Sequence, residues 1–404
     1  MPVDVDPLVA RMRGFGTTIF AEMSALAAAT GAVNLGQGFP DFDGPPEMLE
    51  AAQRAIRDGV NQYPPGPGTP QLREAVAAHQ RRWYGLDYDP GSEVVVTAGA
   101  TEAVTAAVLA FCEAGDEVVV LDPLYDSYAA SIALAGAVVR PVPLRPGPDG
   151  RFGFAEADLR AAFGPRTRLV LLNSPHNPTG TVLSRAELAL VAELCTTHDV
   201  LAVTDEVYEH LVLDGVDGAG HVPLATLEGM RERTLVVSSA GKTFSCTGWK
   251  IGWVCGPAPL VGALMRVKQY LTYTNGAPFQ PAVAVALGLG DDYFDGLVSS
   301  MRAKRDRLAS GLREAGFAVE RSQGTYFLAA DIRPVLGADP DGPLPDGHDG
   351  LAFCRALPER AGVAAVPMQV FYATRGEGRH LVRFTFGKRD EVLDEGVRRL
   401  RATA

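Results

Sequence analysis

The sequence is poor in cysteine and in long apolar runs. Its five cysteines among 404 residues are scattered, and none belongs to a C-x-x-C pair. Such a set predicts neither a zinc site nor a disulfide framework, and free thiols fit a reducing cytoplasm. No run approaches the ~18 consecutive apolar residues that a membrane-spanning helix requires. We therefore expect no metal centre and no membrane span.

The chain is also short of positive charge. Its 37 lysines and arginines face 48 aspartates and glutamates, for a net charge of −11. An acidic protein repels phosphate backbones, and no Lys/Arg block reverses this, so we expect no nucleic-acid partner. The opening M-P-V-D-V-D-P-L-V-A carries acids and lacks the apolar core of a secretory signal. A cytoplasmic protein is the expectation.

What the sequence does contain is enough apolar residues, 47% of the chain, to bury a large core. Its length exceeds the size at which one hydrophobic core stops growing. We expect an N-terminal segment (1–45) that packs near the functional site, a large domain (46–288) and a small C-terminal domain (289–404).

The middle of the chain alternates two patterns. Short β-rich runs occur at residues 93–97, 117–122, 168–173, 200–205 and 234–239. Stretches of helical period lie between several of them, at 101–114, 184–198 and 258–270. Near-continuous apolar strands separated by helices predict an α/β domain with a mixed, mainly parallel sheet covered by helices on both faces.

The C-terminal part predicts a small α+β domain. Helical patterns cover 298–315, 350–360 and 389–402, and strand-like runs lie between them. Residues 337–350 are rich in glycine, proline and aspartate, which indicates a mobile surface loop.

Polar signatures follow the ends of the predicted strands. They are Thr97–Thr101, Asn173–Gly180, Asp205–Tyr208 and Ser238–Lys242. In α/β sheets, ligands bind outside the carboxyl ends of the strands. The sequence thus predicts one site at this edge of the sheet.

Lys242 lies in S-S-A-G-K-T-F, directly after an apolar strand. A lysine in a tight, largely apolar turn loses solvation, which lowers its pKa and favours a nucleophilic amine. The alternative is an ordinary solvated lysine. Its neighbours Ser239 and Lys250 offer a hydroxyl and an ammonium for one phosphate.

A second anion-binding feature is G-A-T-E at 99–102, which joins a strand to a helix. Small residues such as Ala100 and Thr101 let backbone N–H groups approach an anion at the helix N-terminus. The alternative is a simple strand–helix turn.

Asp205 ends an apolar strand, where a buried carboxylate requires a cationic partner such as a protonated ring nitrogen. Tyr208 follows three residues later, and its hydroxyl can donate to an oxygen of the same ring. The alternative for Asp205 is a helix N-cap.

Asn177 and Tyr125 lie in two further loops. Asn177 is held by the prolines and glycine of N-S-P-H-N-P-T-G, and it can donate to a ring oxygen; a plain turn is the alternative. Tyr125, in D-P-L-Y-D-S-Y, can stack on a flat ring or pack as a core aromatic. His176 is interpreted as part of the loop structure.

Arg383 lies in the apolar strand L-V-R-F-T-F, where it requires an anion. A substrate carboxylate held bidentately would satisfy it, and an internal salt bridge is the alternative. Gly38 in L-G-Q-G-F-P-D-F can present a backbone N–H to the same carboxylate.

Tyr63 lies in the Pro/Gly-rich loop N-Q-Y-P-P-G-P-G. It either packs within that loop or contributes to the site of a neighbouring subunit.

Taken together and in this order, these motifs resemble the class I/II aminotransferases of the fold-type-I pyridoxal 5′-phosphate (PLP) enzymes. The resemblance implies a fold-type-I PLP transferase with a large and a small domain, a homodimer with shared active sites, and a ping-pong transfer of amino groups from L-amino acids to 2-oxo acids.

The resemblance also implies a role for each residue. Lys242 resembles the catalytic Schiff-base lysine, Asp205 the partner of the pyridine nitrogen, and Tyr125 the stacking aromatic. Tyr208 and Asn177 resemble the donors to the ring oxygen. The phosphate-binding positions are Ala100, Thr101, Ser239, Lys250 and, from the second subunit, Tyr63. The substrate-binding positions are Gly38, Asn177, Arg383 and, across the interface, Tyr273.

Lys250 narrows the resemblance, because many family members have arginine at this position. A lysine in G-W-K-I-G-W resembles the kynurenine and methionine aminotransferase subgroup. T-T-I-F-A-E-M-S-A-L-A and V-N-Q-Y-P-P-G-P-G are similar to actinobacterial N-succinyldiaminopimelate aminotransferases of lysine biosynthesis. N-succinyl-LL-2,6-diaminopimelate with the glutamate/2-oxoglutarate pair is therefore the expected substrate set. A kynurenine-, methionine- or glutamine-type transaminase and a cysteine-S-conjugate β-lyase are the alternatives.

Overall fold

The computed structural model describes residues 7–402 except 217, 219, 340, 341 and 375. Its α-helices are α1 Ile19–Thr30, α2 Pro46–Arg57, α3 Pro70–Tyr84, α4 Gly99–Phe111, α5 Asp126–Ala135, α6 Glu156–Ala162, α7 Arg185–Thr197, α8 Ala240–Thr243, α9 Ala258–Leu271, α10 Phe279–Leu287, α11 Asp291–Glu314, α12 Gly350–Ala361 and α13 Asp390–Arg401. Its strands are β1 Val33–Asn34, β2 Val94–Thr97, β3 Glu117–Asp122, β4 Val138–Pro143, β5 Arg145–Pro146, β6 Phe152–Gly153, β7 Thr167–Asn173, β8 Leu201–Asp205, β9 Thr234–Ser239, β10 Gly252–Cys255, β11 Ala318–Val319, β12 Phe327–Asp331, β13 Val363–Ala364, β14 Val366–Pro367 and β15 Leu381–Thr385.

The central sheet has seven strands in the order β2-β10-β9-β8-β7-β3-β4. The pairs formed by β4, β3, β7, β8 and β9 are parallel, as the alternation of apolar runs and helices predicted. β10 pairs antiparallel with both β2 and β9. β10 was not among the predicted strands, because its four residues directly follow the polar loop around Lys250.

Helices cover both faces of this sheet, since alternate residues of a strand point to opposite sides. In β3, Val118 and Val120 pack with residues of α4 such as Val104. Val119 and Leu121 pack into a separate core on the other face. This two-sided burial explains why the strands read as continuous apolar runs.

Two predicted helices have different bounds in the structure. The helix predicted at 101–114 starts at Gly99 and ends at Phe111, because Cys112 adopts an extended conformation. The helix predicted from 298 begins at Asp291, where Asp291 and Asp292 occupy the first turn and favour a helix N-terminus.

A second, four-stranded antiparallel sheet has the order β11-β12-β15-β14. β1 pairs in parallel with β13, which ties the N-terminal segment to this C-terminal region. Residues 337–339 and 342–349 form no helix or strand, as predicted for the loop 337–350; Pro340 and Asp341 lie outside the described residues. Its mobility stays a prediction.

All five cysteines are buried and free. Throughout the described ranges, none of the helices combines the length and apolar character that crossing a membrane would demand. The first six residues, on which part of the prediction about the N-terminus rests, are outside those ranges.

Candidate active site

A cavity of about 250 Å³ lies at the carboxyl ends of the central strands. Apart from Tyr63 and Tyr273, every predicted site residue lines it. The further lining residues, which the sequence analysis did not single out, include Phe20, Gln37, Phe39, Ser127, Tyr128, Asn173, Val207, Thr247, Ile251 and Phe327. The topology thus gathers side chains that are up to about three hundred and sixty positions apart in the chain.

Lys242 occupies the one-turn helix α8, directly after β9. Gly241 beside it is closely packed: an added Cβ would lie 3.1 Å from the Cα of Thr247, which would have to move slightly. The half-buried Lys242 Nζ is 5.8 Å from the centre of the Tyr208 ring and 5.9 Å from that of Tyr326. The amine therefore faces the aromatic wall of the cavity.

Asp205 is a buried carboxylate at the end of β8. Its Oδ2 accepts a 2.6 Å hydrogen bond from the Tyr128 hydroxyl, and its Oδ1 accepts from the Val207 N–H at 3.3 Å. Burial raises the pKa of Asp205, and the Tyr128 bond and the charge of Lys242 act in the opposite direction. No ion pair of Asp205 is present among the described residues, so a bound cation would complete its environment.

Tyr128 is a residue that the sequence analysis missed. It lies three positions after Tyr125 in the same D-P-L-Y-D-S-Y motif, and the two rings are 5.7 Å apart at 82°. Tyr125 is the N-cap residue of α5, and Tyr128 lies in its first turn. The motif itself was the available signal, because positions three apart share one face of a helix.

An anion-binding corner forms where α4 begins. Gly252 packs against this turn so closely that an added Cβ would lie 2.6 Å from the Gly99 carbonyl carbon. A Cβ on Gly99 would lie 3.0 Å from Lys250 Nζ. Burial and the nearby charge of Lys242 lower the pKa of Lys250. Free N–H groups at the start of a helix and two ammonium groups together make a site for a phosphate-like anion.

Arg383 is fully buried on β15. Its Nη1 donates to Asn177 Oδ1 at 2.8 Å and its Nη2 to the Gly36 carbonyl at 3.3 Å, while Nε has no hydrogen-bond partner among the described residues. The guanidinium stacks 3.9 Å from the centre of the Phe327 ring. Burial lowers the pKa of Arg383 to about 10, so it stays protonated at neutral pH.

The alternative interpretation of Arg383, an internal salt bridge, is not found in the part of the chain that the structure describes. A buried guanidinium without a carboxylate partner is costly. Because the side chain also lines the cavity, a bound carboxylate is the partner that the site offers it.

Gly38 lies against this arginine, and its position excludes any side chain. An added Cβ would lie 2.6 Å from Phe327 Cζ and 3.8 Å from Arg383 Nη2. The Gly38 carbonyl accepts a 2.8 Å hydrogen bond from the Tyr326 hydroxyl. Phe327 begins β12 and Tyr326 directly precedes it, and no local sequence signal indicated a role for either in the site.

His176, by contrast, has a structural environment. It is buried, and its Nδ1 lies 2.8 Å from Thr179 Oγ1 within the same loop. Burial lowers its pKa to about 3, so it is neutral at ordinary pH. This agrees with the interpretation of His176 as loop structure.

Tyr63 and Tyr273 lie outside this cavity, on the surface. Their rings contact each other at 5.4 Å and 77°, and the two residues are 81% and 57% exposed. Neither side chain lines the cavity of its own chain. The predicted role of these two residues in the site of a partner subunit stays a prediction.

Comparisons with known proteins agree on one family. Residues 30–400 match the family model of aminotransferase class I and II. The chain is 58% identical to a probable N-succinyldiaminopimelate aminotransferase of Mycobacterium tuberculosis, with 98% of each chain covered. It is 40% identical to a methionine aminotransferase of Escherichia coli, with 98% and 99% covered.

A solved structure gives the same result. The N-succinyldiaminopimelate aminotransferase from Mycobacterium tuberculosis superposes with a TM-score of 0.93 at 57% identity, covering 98% of this chain and all of that one. Since both the sequence and the fold match over nearly the whole length, the chain belongs to the class I and II aminotransferases and is a PLP-dependent enzyme of fold type I.

Proposed function

We propose that this aminotransferase acts on N-succinyl-LL-2,6-diaminopimelate with the glutamate/2-oxoglutarate pair, in lysine biosynthesis. The proposed substrate is supported by the 58% identity, over 98% of both chains, to a relative named for that activity. The cavity supports the reaction type, because it combines an amine, a buried carboxylate, an anion-binding corner and a buried arginine.

The charges of the cavity fit PLP. Asp205 offers a buried carboxylate without a cationic partner, which suits a protonated pyridine nitrogen. The start of α4 and Lys250 offer positive potential for the phosphate. Lys242 is close enough to both Asp205 and Lys250 to influence their pKa values, so its amine would be within reach of the cofactor that these two residues would hold.

When bound, PLP supplies an electrophilic carbon for the amino group and a ring that spreads the negative charge left when the α-proton is removed. Lys242 would hold the cofactor through its amine, and as a free amine it would accept the α-proton of the substrate. Asp205 would keep the ring nitrogen protonated. Tyr208 and Asn177 would donate to the ring oxygen, and Tyr125 would pack on the ring face.

The remaining predicted residues bind the two anionic ends. Ala100, Thr101 and Ser239 donate to the phosphate, and Lys250 neutralises it. Arg383 and the Gly38 N–H bind the α-carboxylate of the substrate, which places the α-proton against Lys242. Asn177 has a role at the α-carboxylate as well as at the ring oxygen, since its Oδ1 also orients Arg383.

The distal end of the proposed substrate carries further carboxylates. Among the described residues that line the cavity, the cationic ones are Lys242, Lys250 and Arg383, which already have roles. Polar groups such as Gln37 and Ser127, or side chains of a second subunit, must therefore meet the distal carboxylates.

A second candidate is an aminotransferase for uncharged side chains, of the methionine or kynurenine type. Phe20, Phe39 and Phe327 give the cavity apolar lining, and the chain is 40% identical to a methionine aminotransferase. This candidate differs from the first in the donor and not in the chemistry.

We further propose a cytoplasmic homodimer with shared active sites. Three exposed aromatic residues support the dimer: Tyr63, Tyr270 and Tyr273 are 81%, 85% and 57% exposed. In the dimer, Tyr63 donates to the phosphate bound in the partner's site, and Tyr273 approaches the substrate of that site.

We also propose the division of the chain into an N-terminal segment (1–45), a large domain (46–288) and a small domain (289–404). The N-terminal segment contributes Phe20 and Gly38 to the cavity.

The test is a comparison of amino donors with the purified, PLP-loaded enzyme. We expect the highest kcat/KM with N-succinyl-LL-2,6-diaminopimelate and 2-oxoglutarate, and a mass twice that of the chain in sedimentation. A higher kcat/KM for methionine or kynurenine would replace the first candidate by the second. Pyruvate released from cysteine conjugates without any 2-oxo acid would instead indicate a β-lyase.

A further inference from the structure

Glu102 is a buried acid in the first turn of α4, next to the proposed phosphate site. One of its oxygens, Oε2, accepts a 2.6 Å hydrogen bond from the Ala98 N–H, just before the helix. The other, Oε1, accepts from the Thr272 hydroxyl, at the end of α9. The carboxylate thus joins the start of α4 to the segment 272–276.

The charge of Glu102 acts on two lysines. It raises the pKa of both Lys250 and Lys268, against the burial that lowers them. Lys268 is fully buried, and its Nζ donates to the carbonyls of Tyr273 at 2.8 Å and Gly66 at 3.2 Å. Lys268 therefore fixes the backbone of Tyr273 and of the loop that follows Tyr63.

The segment 272–276 also contacts the phosphate corner directly. The Asn275 side-chain amide donates to the Thr97 carbonyl at 3.1 Å and to the Lys250 carbonyl at 3.0 Å. The segment is consequently bonded to three parts of that corner: the end of β2, the start of α4 and the backbone of Lys250.

A carboxylate so close to a phosphate site would weaken anion binding if it had no other effect. We propose that Glu102 is a positioning residue: it holds the first turn of α4 and the segment 272–276 in one arrangement, so that the N–H groups of Ala100 and Thr101 stay aimed at the phosphate. The inference rests on the proposed role of this corner in cofactor binding.

The test removes each side of the Glu102–Thr272 bond. Glu102→Gln keeps the size but lacks the second acceptor and the charge, and Thr272→Val removes only the hydroxyl. We expect each variant to weaken PLP binding to the apoenzyme by about tenfold, the size of one hydrogen bond to a charged group. The double variant should be no weaker than the worse single one, because both changes break the same bond.

Two readouts separate this role from general stability. PLP affinity is measured by fluorescence titration of the apoenzyme, and inorganic phosphate is tested by the increase in melting temperature that it produces. Thr272→Ser should retain wild-type affinity, because it keeps the hydroxyl. Thr196→Val, which loses a hydroxyl bonded within α7, is the matched control and should change neither readout.

Unchanged PLP affinity and phosphate response in both single variants would overturn the proposal, and so would effects that multiply in the double variant. If Glu102→Gln does not fold, the comparison of PLP affinity between Thr272→Val and Thr272→Ser tests the proposal by itself. Wild-type apoenzyme that binds no PLP would instead refute the proposed function, so the two failures are distinguishable.

Discussion

At the scale of single residues, the proposed chemistry depends on the amine of Lys242. Replacing it by alanine removes both the covalent link and the base, while the phosphate corner around Lys250 remains. Lys242→Ala should therefore abolish transamination and still retain PLP on gel filtration. Steady-state rates and bound phosphate measure the two effects, with Arg54→Ala, which removes an exposed ion pair with Glu50, as control. Near-wild-type rates in Lys242→Ala would show that the assignment is wrong.

The hydrogen bond between Tyr128 and Asp205 leads to a second prediction. Tyr128→Phe removes a donor that lowers the pKa of Asp205, so this pKa should rise. Because Asp205 must be ionised to hold a protonated ring nitrogen, activity should be lost at a higher pH as the medium is acidified. We expect the acidic limb of the kcat/KM profile to move upward and kcat at neutral pH to fall by about tenfold.

The matched control for this variant is Tyr88→Phe, which removes a buried hydroxyl for which the described part of the chain provides no hydrogen-bond partner. Its pH profile should coincide with that of the wild type. Coincident profiles for Tyr128→Phe as well would show that the Tyr128 bond does not influence Asp205.

At the scale of elements, the unpredicted strand β10 sets the position of α4. Gly252 opens this strand and touches the backbone of the first helical turn. Gly252→Ala would place a Cβ 2.6 Å from the Gly99 carbonyl carbon, so the turn must move. We expect weaker PLP binding and a loss of about 1–3 kcal/mol in the free energy of unfolding, as for other overpacked sites.

Gly262→Ala provides the comparison, since nothing lies within 4 Å of an added Cβ there. Gly262 is within α9, where alanine should stabilise the helix by about 0.5–1 kcal/mol. Urea unfolding of both apoenzymes, with PLP titrations, measures the difference. Equal effects of the two substitutions would mean that the contact between β10 and α4 is not tight.

At the scale of the whole molecule, buried neutral histidines make stability depend on pH. Burial lowers the pKa of His79 and of His176 to about 3. Below about pH 6.5 the unfolded chain binds protons at these residues and the folded chain does not. The free energy of unfolding should therefore fall between pH 6.5 and 3, by up to about 1.4 kcal/mol per pH unit for each group.

Glu209 acts with the opposite sign over part of this range. Burial raises its pKa to about 7, so the folded state holds a proton that the unfolded state loses above its ordinary pKa of 4.5. Its contribution to stability is present in acid and is lost as the pH rises towards 7. Below pH 4.5 the contribution of Glu209 no longer changes, so there the histidines should dominate over Glu209 in the pH dependence of the free energy of unfolding.

His79→Gln tests the histidine contribution. Removing the group should make the free energy of unfolding less dependent on pH between 6.5 and 4. Urea unfolding at several pH values measures the slope, and the exposed His198→Gln serves as control. A slope identical to that of the wild type would contradict the assignment to His79.

Most of the site could be predicted from strand ends. Lys242 directly follows one apolar run and Asp205 ends another, and parallel strands bring their carboxyl ends to one edge. Arg383 lies within β15 of the antiparallel sheet, and its role was indicated by the anion that an arginine in an apolar strand requires. Tyr128 and Phe327 could not be identified in this way. Their neighbours Tyr125 and Tyr326 are aromatic too, and only the rotation of each element decides which ring faces Asp205 or Arg383.

By itself, the sequence determined the fold class, the family motifs and the polar residues at the strand ends, because apolar periodicity and local loop chemistry are properties of adjacent residues. Only the tertiary structure decided the place of β10 between β2 and β9, the stacking of Phe327 on Arg383 and the bond from Glu102 to Thr272. Such contacts join residues far apart in the chain, and their geometry depends on how whole elements pack.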